Sequence, residues 1–204
     1  LGDVYKRQIY STVPEATGAV FTQNKMCAAP VLVSRKVAAK SYAQAIVVNS
    51  GCANACTGEQ GLKDAEAMQA QTAELLGVEN DAVYVCSTGV IGHFMPMDKL
   101  AKGIADAVDS MDETGGESCA MAIQTTDTFI KHAAYEFELG GKTVKIAGIA
   151  KGAGMIHPNM ATMLTFLTTD AAVAPDVLKR AVKAAADKSF NMVVVDGDTS
   201  TNDS

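Results

Sequence analysis

The 204 residues are 48% hydrophobic, and 17 Lys plus Arg against 23 Asp plus Glu leave a formal net charge of −6. That is enough apolar sequence to bury a core as one domain or two small ones. With no basic run to follow a phosphate backbone, it argues against nucleic acid as a partner. The apolar stretches are strand-sized, well short of the roughly 20 residues a membrane span needs, and no charged-then-apolar leader opens the chain, so the expectation is a cytoplasmic protein with no membrane partner.

Residues 1–8, "LGDVYKRQ", have no useful periodicity and read as dispensable, within a non-native lead over 1–10. "QAIVVNS" (44–50) reads as a buried strand and 57–77 as a helix, opened by a Thr57/Gln60 capping box and closed by Gly77. A strand follows at 82–87, then an amphipathic helix at 97–111 with Asp98 near its start, and a second helix at 117–126. "AYEFELGGKTVKIAGIA" (134–150) holds two strand-like runs around Gly140-Gly141, which is a hairpin signal. Residues 162–169 add a strand, 175–188 a helix with proline in its first turn, and "NMVVVD" (191–196) another strand. Interleaved strands and helices predict a layered α/β domain. The chain ends in the polar "DGDTSTNDS" with no closing element, as expected of a sequence that continues. Its acidic spacing resembles the start of a calcium loop, but Thr201 stands where that loop needs glycine.

Cys27, Cys52, Cys56, Cys86 and Cys119 are odd in number and scattered, which favours reduced thiols over a disulfide framework. Cys52 and Cys56 have no second Cys or His pair at zinc-site spacing, so no structural metal is expected.

"KGAGMIHPNMATML" (151–164) begins as a glycine-rich turn after a strand, but His157 and Pro158 break the dinucleotide fingerprint. Thr162 then opens the next strand-like run. A threonine there is ordinarily a strand residue. It becomes a nucleophile if the Ala161-Thr162 bond is cut, because its own α-amine, with a pKa near 7.7–8.0, then serves as base. "STGVIG" (87–92) is a simple turn, or else Thr88 and Gly89 donate to a developing oxyanion. Lys151 on its own reads as a surface charge at a strand end, His157 invites a general-base reading, and His93 and His132 have no evident partners.

The same stretch resembles the self-processing motif of the ornithine acetyltransferase family, also called bifunctional glutamate N-acetyltransferase, of arginine biosynthesis. The likeness continues through "VPEATGAVFTQNKMCAAPVLVSR" (13–35), "AIVVNSGCANACTGEQGL" (45–62), "STGVIGHFMPMDKL" (87–100), "TTDTF" (125–129) and "SFNMVVVDGDTSTND" (189–203). Cys52 and Ala153 depart from the asparagine and serine common in the family.

The resemblance implies an α/β/β/α sandwich of the self-processing N-terminal-nucleophile type, truncated at its C-terminus. It implies cleavage between Ala161 and Thr162 into an α chain (11–161 here) and a β chain (162–204 here). Thr162 would be the nucleophile, Thr88 and Gly89 the oxyanion hole, and Thr125, Lys151 and Thr162 the substrate-binding residues. The reaction implied moves acetyl from N2-acetylornithine to glutamate through an acetyl-threonine, within an α2β2 heterotetramer. It needs no cofactor, with acetyl-CoA as a second candidate donor. An uncut, non-catalytic fragment and a related self-processing amidase or peptidase are the alternatives.

Overall fold

The computed structural model describes residues 5–157 and 163–204. Its elements run β1 (Tyr5–Ala16), α1 (Ala29–Lys40), β2 (Tyr42–Cys52), α2 (Gly58–Leu76), β3 (Val83–Val90), α3 (Met97–Asp109), α4 (Gly116–Ala122), β4 (Lys131–Leu139), β5 (Lys142–Lys151), β6 (Leu164–Thr169) and α5 (Pro175–Asp187). The strands form two three-stranded sheets, ordered β1-β2-β3 and β4-β5-β6. β2 pairs antiparallel with β1 and parallel with β3, whereas the second sheet is antiparallel throughout.

The alternation of side chains along β2 and β3 builds the layers. Ala45 and Val47, with Val83 and Val85, pack against a helical layer through Val33, Met68, Leu100 and Ile104. Val48 and Cys86 point the other way, onto Leu164 and Phe166 of the second sheet. Strands buried on both faces carry nearly continuous apolar runs, which is why "AIVVNS" reads as a strand without alternation. The result is helices on sheet on sheet, three layers of the expected sandwich. The outer face of the second sheet, with Tyr135, Phe137 and Leu167, is exposed.

Most elements fall where the sequence puts them, with instructive exceptions. β1 and α1 are not evident from periodicity. β1 is polar, contains Pro14 and has a register shift between Tyr10 and Glu15, features an edge strand tolerates. Residues 5–8, expected to be dispensable, instead pair with Ser50 to Val47, and Gln8 Nε2 donates to Ile104 O at 3.4 Å. The Thr57 capping box does not form. Thr57 Oγ1 donates to Asn54 Oδ1 at 2.7 Å, although Gly77 does close α2 in the left-handed conformation. α4 ends at Ala122 rather than near 126, ahead of a turn gathered around Asp127. "NMVVVD" is not a strand: a 3-10 turn spans Phe190–Met192, and Val193 to Val195 are exposed. Val195 N–H bonds Ile156 O, but no ladder is available to it among the described strands. No helix among the described residues is long and apolar enough to cross a membrane.

Ser34 shows how the helical layer is fixed to the free edge of β3. Its buried Oγ donates to Val85 O at 2.7 Å and accepts from Val85 N at 2.9 Å, standing in for the missing strand neighbour. Ser34→Ala leaves both main-chain groups buried and unpaired, and is expected to lower unfolding free energy by about 1–3 kcal/mol. Urea melts measure this, and a change within a few tenths of a kcal/mol would mean that the edge repairs itself.

Candidate active site

Among the described residues, a polar contact between Thr88 and Lys151 joins the two sheets. Thr88 follows Cys86 on the face of β3 that looks at the second sheet, and Lys151 ends β5 on the facing side, paired with Leu164. Lys151 Nζ donates to Thr88 Oγ1 at 2.9 Å. Both residues are buried, Lys151 at 2% exposure. The hydroxyl oxygen accepts this hydrogen bond, so the Thr88 O–H remains a donor for another acceptor.

Gly89 sits next to this pair with φ 131°, opposite Gly51 across the β2–β3 ladder. A Cβ added there would lie 2.3 Å from the Gly51 carbonyl carbon. Only glycine fits, so the Gly89 main chain runs past Thr88 without a side chain over it.

Asp127 and Asp203 act on the Lys151 charge, and a third carboxylate, Asp196, holds the turn that follows β5. Asp127 Oδ1 accepts from Gly152 N at 2.8 Å and pairs with Lys131, and its other oxygen is 3.4 Å from Thr125 N. Burial opposes its charge, but the bonds from Lys131, Gly152 and Thr125 prevail and hold its carboxyl below the usual range. Asp196 accepts from Met155 N at 2.6 Å and Ile156 N at 3.0 Å, closing the turn in which Met155 has φ 55°. Asp203, 1% exposed, accepts from Met163 N at 2.8 Å. Burial pushes the Lys151 ammonium below its ordinary pKa, while the charges of Asp127 and Asp203 resist that shift.

The structure therefore brings Thr88, Gly89 and Lys151 together and links them through Asp127 to Thr125, whose side chain is exposed. Ala161 and Thr162 lie outside the described residues, and the described chain approaches them from Lys151 and leaves at Met163. Lys151 is no solvated surface charge. Asp127, Asp196 and Asp203 are missed by sequence reasoning. "TTDTF" drew notice for Thr125, and the polar ending only as a failed calcium loop. Three acidic residues among small polar ones in residues 196–204 are the available signal.

The ArgJ family model matches residues 6–204. The chain belongs to the ArgJ family. The arginine biosynthesis bifunctional protein ArgJ of Symbiobacterium thermophilum is 54% identical over 193 residues, 95% of this chain and 48% of the relative. That of Listeria monocytogenes is 52% identical over 198 residues, covering 96% of this chain and 49% of the relative. This ArgJ-family chain thus spans about half the length of the curated relatives it matches. Among solved structures, the arginine biosynthesis bifunctional protein argJ of Bacillus halodurans superposes with TM-score 0.69 at 41% identity, covering 78% of this chain and 91% of that one. The ornithine acetyltransferase of Mycobacterium tuberculosis, solved in complex with ornithine, gives 0.64 at 36%, covering 74% and 81%. The N-terminal-nucleophile sandwich expected from the sequence is the fold of this family.

The depressed Lys151 pKa predicts a pH signature. Between the folded value and 10.5 the unfolded chain binds one more proton at this site, so stability due to Lys151 rises with pH across that window. The stability difference, wild type minus Lys151→Met, should therefore shift toward the wild type between pH 7 and pH 10.5. Urea titrations of both proteins at several pH values measure it. A flat or reversed difference would show that the ammonium keeps its ordinary affinity for protons.

Proposed function

We propose that this chain carries the acyl-transfer site of an enzyme that moves the acetyl group of N2-acetylornithine to glutamate, after cutting itself between Ala161 and Thr162. The observation that carries this is the Lys151–Thr88 contact beside Gly89, built where β5 leads into the turn before Thr162. Membership of the ArgJ family and the likeness to an ornithine acetyltransferase bound to ornithine support it.

The Thr162 hydroxyl attacks the Ala161 carbonyl carbon, the peptide C–N bond breaks, and the hydroxyl proton passes to the departing nitrogen. Water opens the resulting ester, giving an Ala161 carboxylate and restoring the hydroxyl next to a free α-amine. The amine then takes the hydroxyl proton as Thr162 attacks the acetyl carbonyl of acetylornithine. The amide C–N bond breaks, and the proton leaves on the ornithine nitrogen. Glutamate's α-amine attacks the acetyl ester, forming acetylglutamate and freeing the hydroxyl. Acetyl-CoA can enter as donor by the same chemistry, with a thiol leaving.

Negative charge develops on the carbonyl oxygen in each attack. The Thr88 hydroxyl and Gly89 N–H are the donors for it, and the Lys151 ammonium makes that hydroxyl a stronger donor. Its two remaining N–H groups serve the substrate carboxylate. Thr125 contributes to substrate binding from the turn around Asp127. Transfer from acetylornithine to glutamate by these steps needs no cofactor. Cleaved α and β chains stay together, two of each forming the α2β2 assembly, in the cytoplasm.

In a precursor of the family's full length, wild type should give two bands with threonine as the new N-terminus. Thr162→Ala should give one uncut, inactive chain, and Thr162→Ser should still cut. Denaturing electrophoresis with N-terminal sequencing reads this, and two bands from the alanine variant would remove Thr162 from both roles. Thr88→Ala should lower kcat by about 10²-fold with the fold intact. A raised KM at unchanged kcat would assign Thr88 to ground-state binding.

A further inference from the structure

The polar ending of the chain turns back into the core. Thr22 Oγ1 donates to Ser200 O at 2.7 Å, Ala28 N to Thr201 O at 2.8 Å, and Thr22 N to Asp203 O at 3.0 Å. Asn202 Nδ2 donates to both Ala53 O and Ser87 O, at 2.6 and 2.9 Å. Ser200, Thr201, Asn202 and Asp203 are all buried. These bonds offset the cost of burying polar groups and are structural.

The Asp203 side chain does something different. Its Oδ1 accepts from Met163 N at 2.8 Å, Met163 O accepts from Ser204 N at 3.4 Å, and Thr165 N donates to Ser204 O at 3.2 Å. Both main-chain groups of Met163 are therefore held by residues 203 and 204, just before β6 begins at Leu164. A carboxylate-to-amide bond is charge-assisted and short, stronger than a neutral one. Met163 directly follows Thr162. The Ser204 bonds are those of an ordinary bridge to a strand start, so the carboxylate on Met163 N is the distinctive contact.

We propose that Asp203 is a positioning residue for Thr162, fixing the main chain one residue past the nucleophile so that its hydroxyl is held on the carbonyl it attacks. This rests on the reading of Thr162 as nucleophile and of Ala161-Thr162 as the bond that is cut. The relevant property is where the acceptor oxygen sits. Asparagine keeps an oxygen at that place, glutamate moves it by a methylene, and alanine removes it. A misplacement of about 1 Å can cost about 10²-fold in rate.

The test follows self-cleavage in time by intact mass, in the full-length precursor, for wild type and for Asp203→Ala, Asp203→Asn, Asp203→Glu and Thr22→Ala, with Tm measured for each. Asp203→Ala and Asp203→Glu are expected to cut at least about 10-fold more slowly, and Asp203→Asn, which keeps the acceptor oxygen but loses the charge facing Lys151, to cut faster than either. Thr22→Ala, which releases the same segment at Ser200, should lower Tm yet cut at close to the wild-type rate. If Asp203→Ala does not fold, the asparagine and glutamate variants alone decide. Equal rates in those two, glutamate faster than asparagine, or Thr22→Ala slowed as much as an Asp203 variant of equal Tm would overturn the inference. A wild type that stays whole, or cuts elsewhere than Ala161-Thr162, overturns the nucleophile reading and this inference together.

Discussion

An ammonium group that is 2% exposed must be matched by neighbours, and the arrangement around Lys151 is organised by that need. Its bond to Thr88 Oγ1 ties β5 of one sheet to β3 of the other at the mouth of the apolar seam. Asp127 and Asp203 supply negative charge from opposite directions, one from the turn after α4 and one from the end of the chain. Apolar packing of Val48 and Cys86 on Leu164 and Phe166 brings the sheets together. The polar cluster makes their relative register consequential.

Chemistry and stability pull against each other here. Desolvation disfavours the Lys151 charge, and Gly89 takes a backbone conformation and a close approach that no other residue tolerates. Both are costs a purely structural sandwich would have no reason to carry, and perturbed, desolvated groups of this kind gather at functional sites. The thiol of Cys86, one position from Ser87 and pushed up to about 11 by burial, stays protonated and acts as a small apolar residue that bonds Ser204.

The loops divide into those that hold and those that present. Asp196 closes the turn at Met155 and Ile156, Asp127 holds Gly152, and Asp203 holds Met163. Each carboxylate accepts main-chain N–H groups, which rigidifies irregular backbone that no strand or helix ladder could satisfy. Described backbone on both sides of residues 158–162 is therefore anchored, from the Lys151 side by two carboxylates and from the Met163 side by one.

Local rules were enough for elements whose signal is local. "QAIVVNS" declared a buried strand, Gly77 a helix end, Gly140-Gly141 a hairpin and Pro175 a helix start, because composition and turn chemistry act over a few residues. The long ordered motifs around Thr88, Lys151 and Thr162 also carry the family resemblance that implies acyl transfer. What the sequence could not settle was partnership. β1 forms by pairing with β2, "NMVVVD" is not a strand because no described strand receives it, and Thr57 turns to Asn54 instead of capping α2. The three organising carboxylates belong to the same class, since a surface aspartate and one buried against Met163 look alike in a string of letters. Their roles are fixed by contacts between residues 25 to 41 positions apart, and only the tertiary structure brings those together.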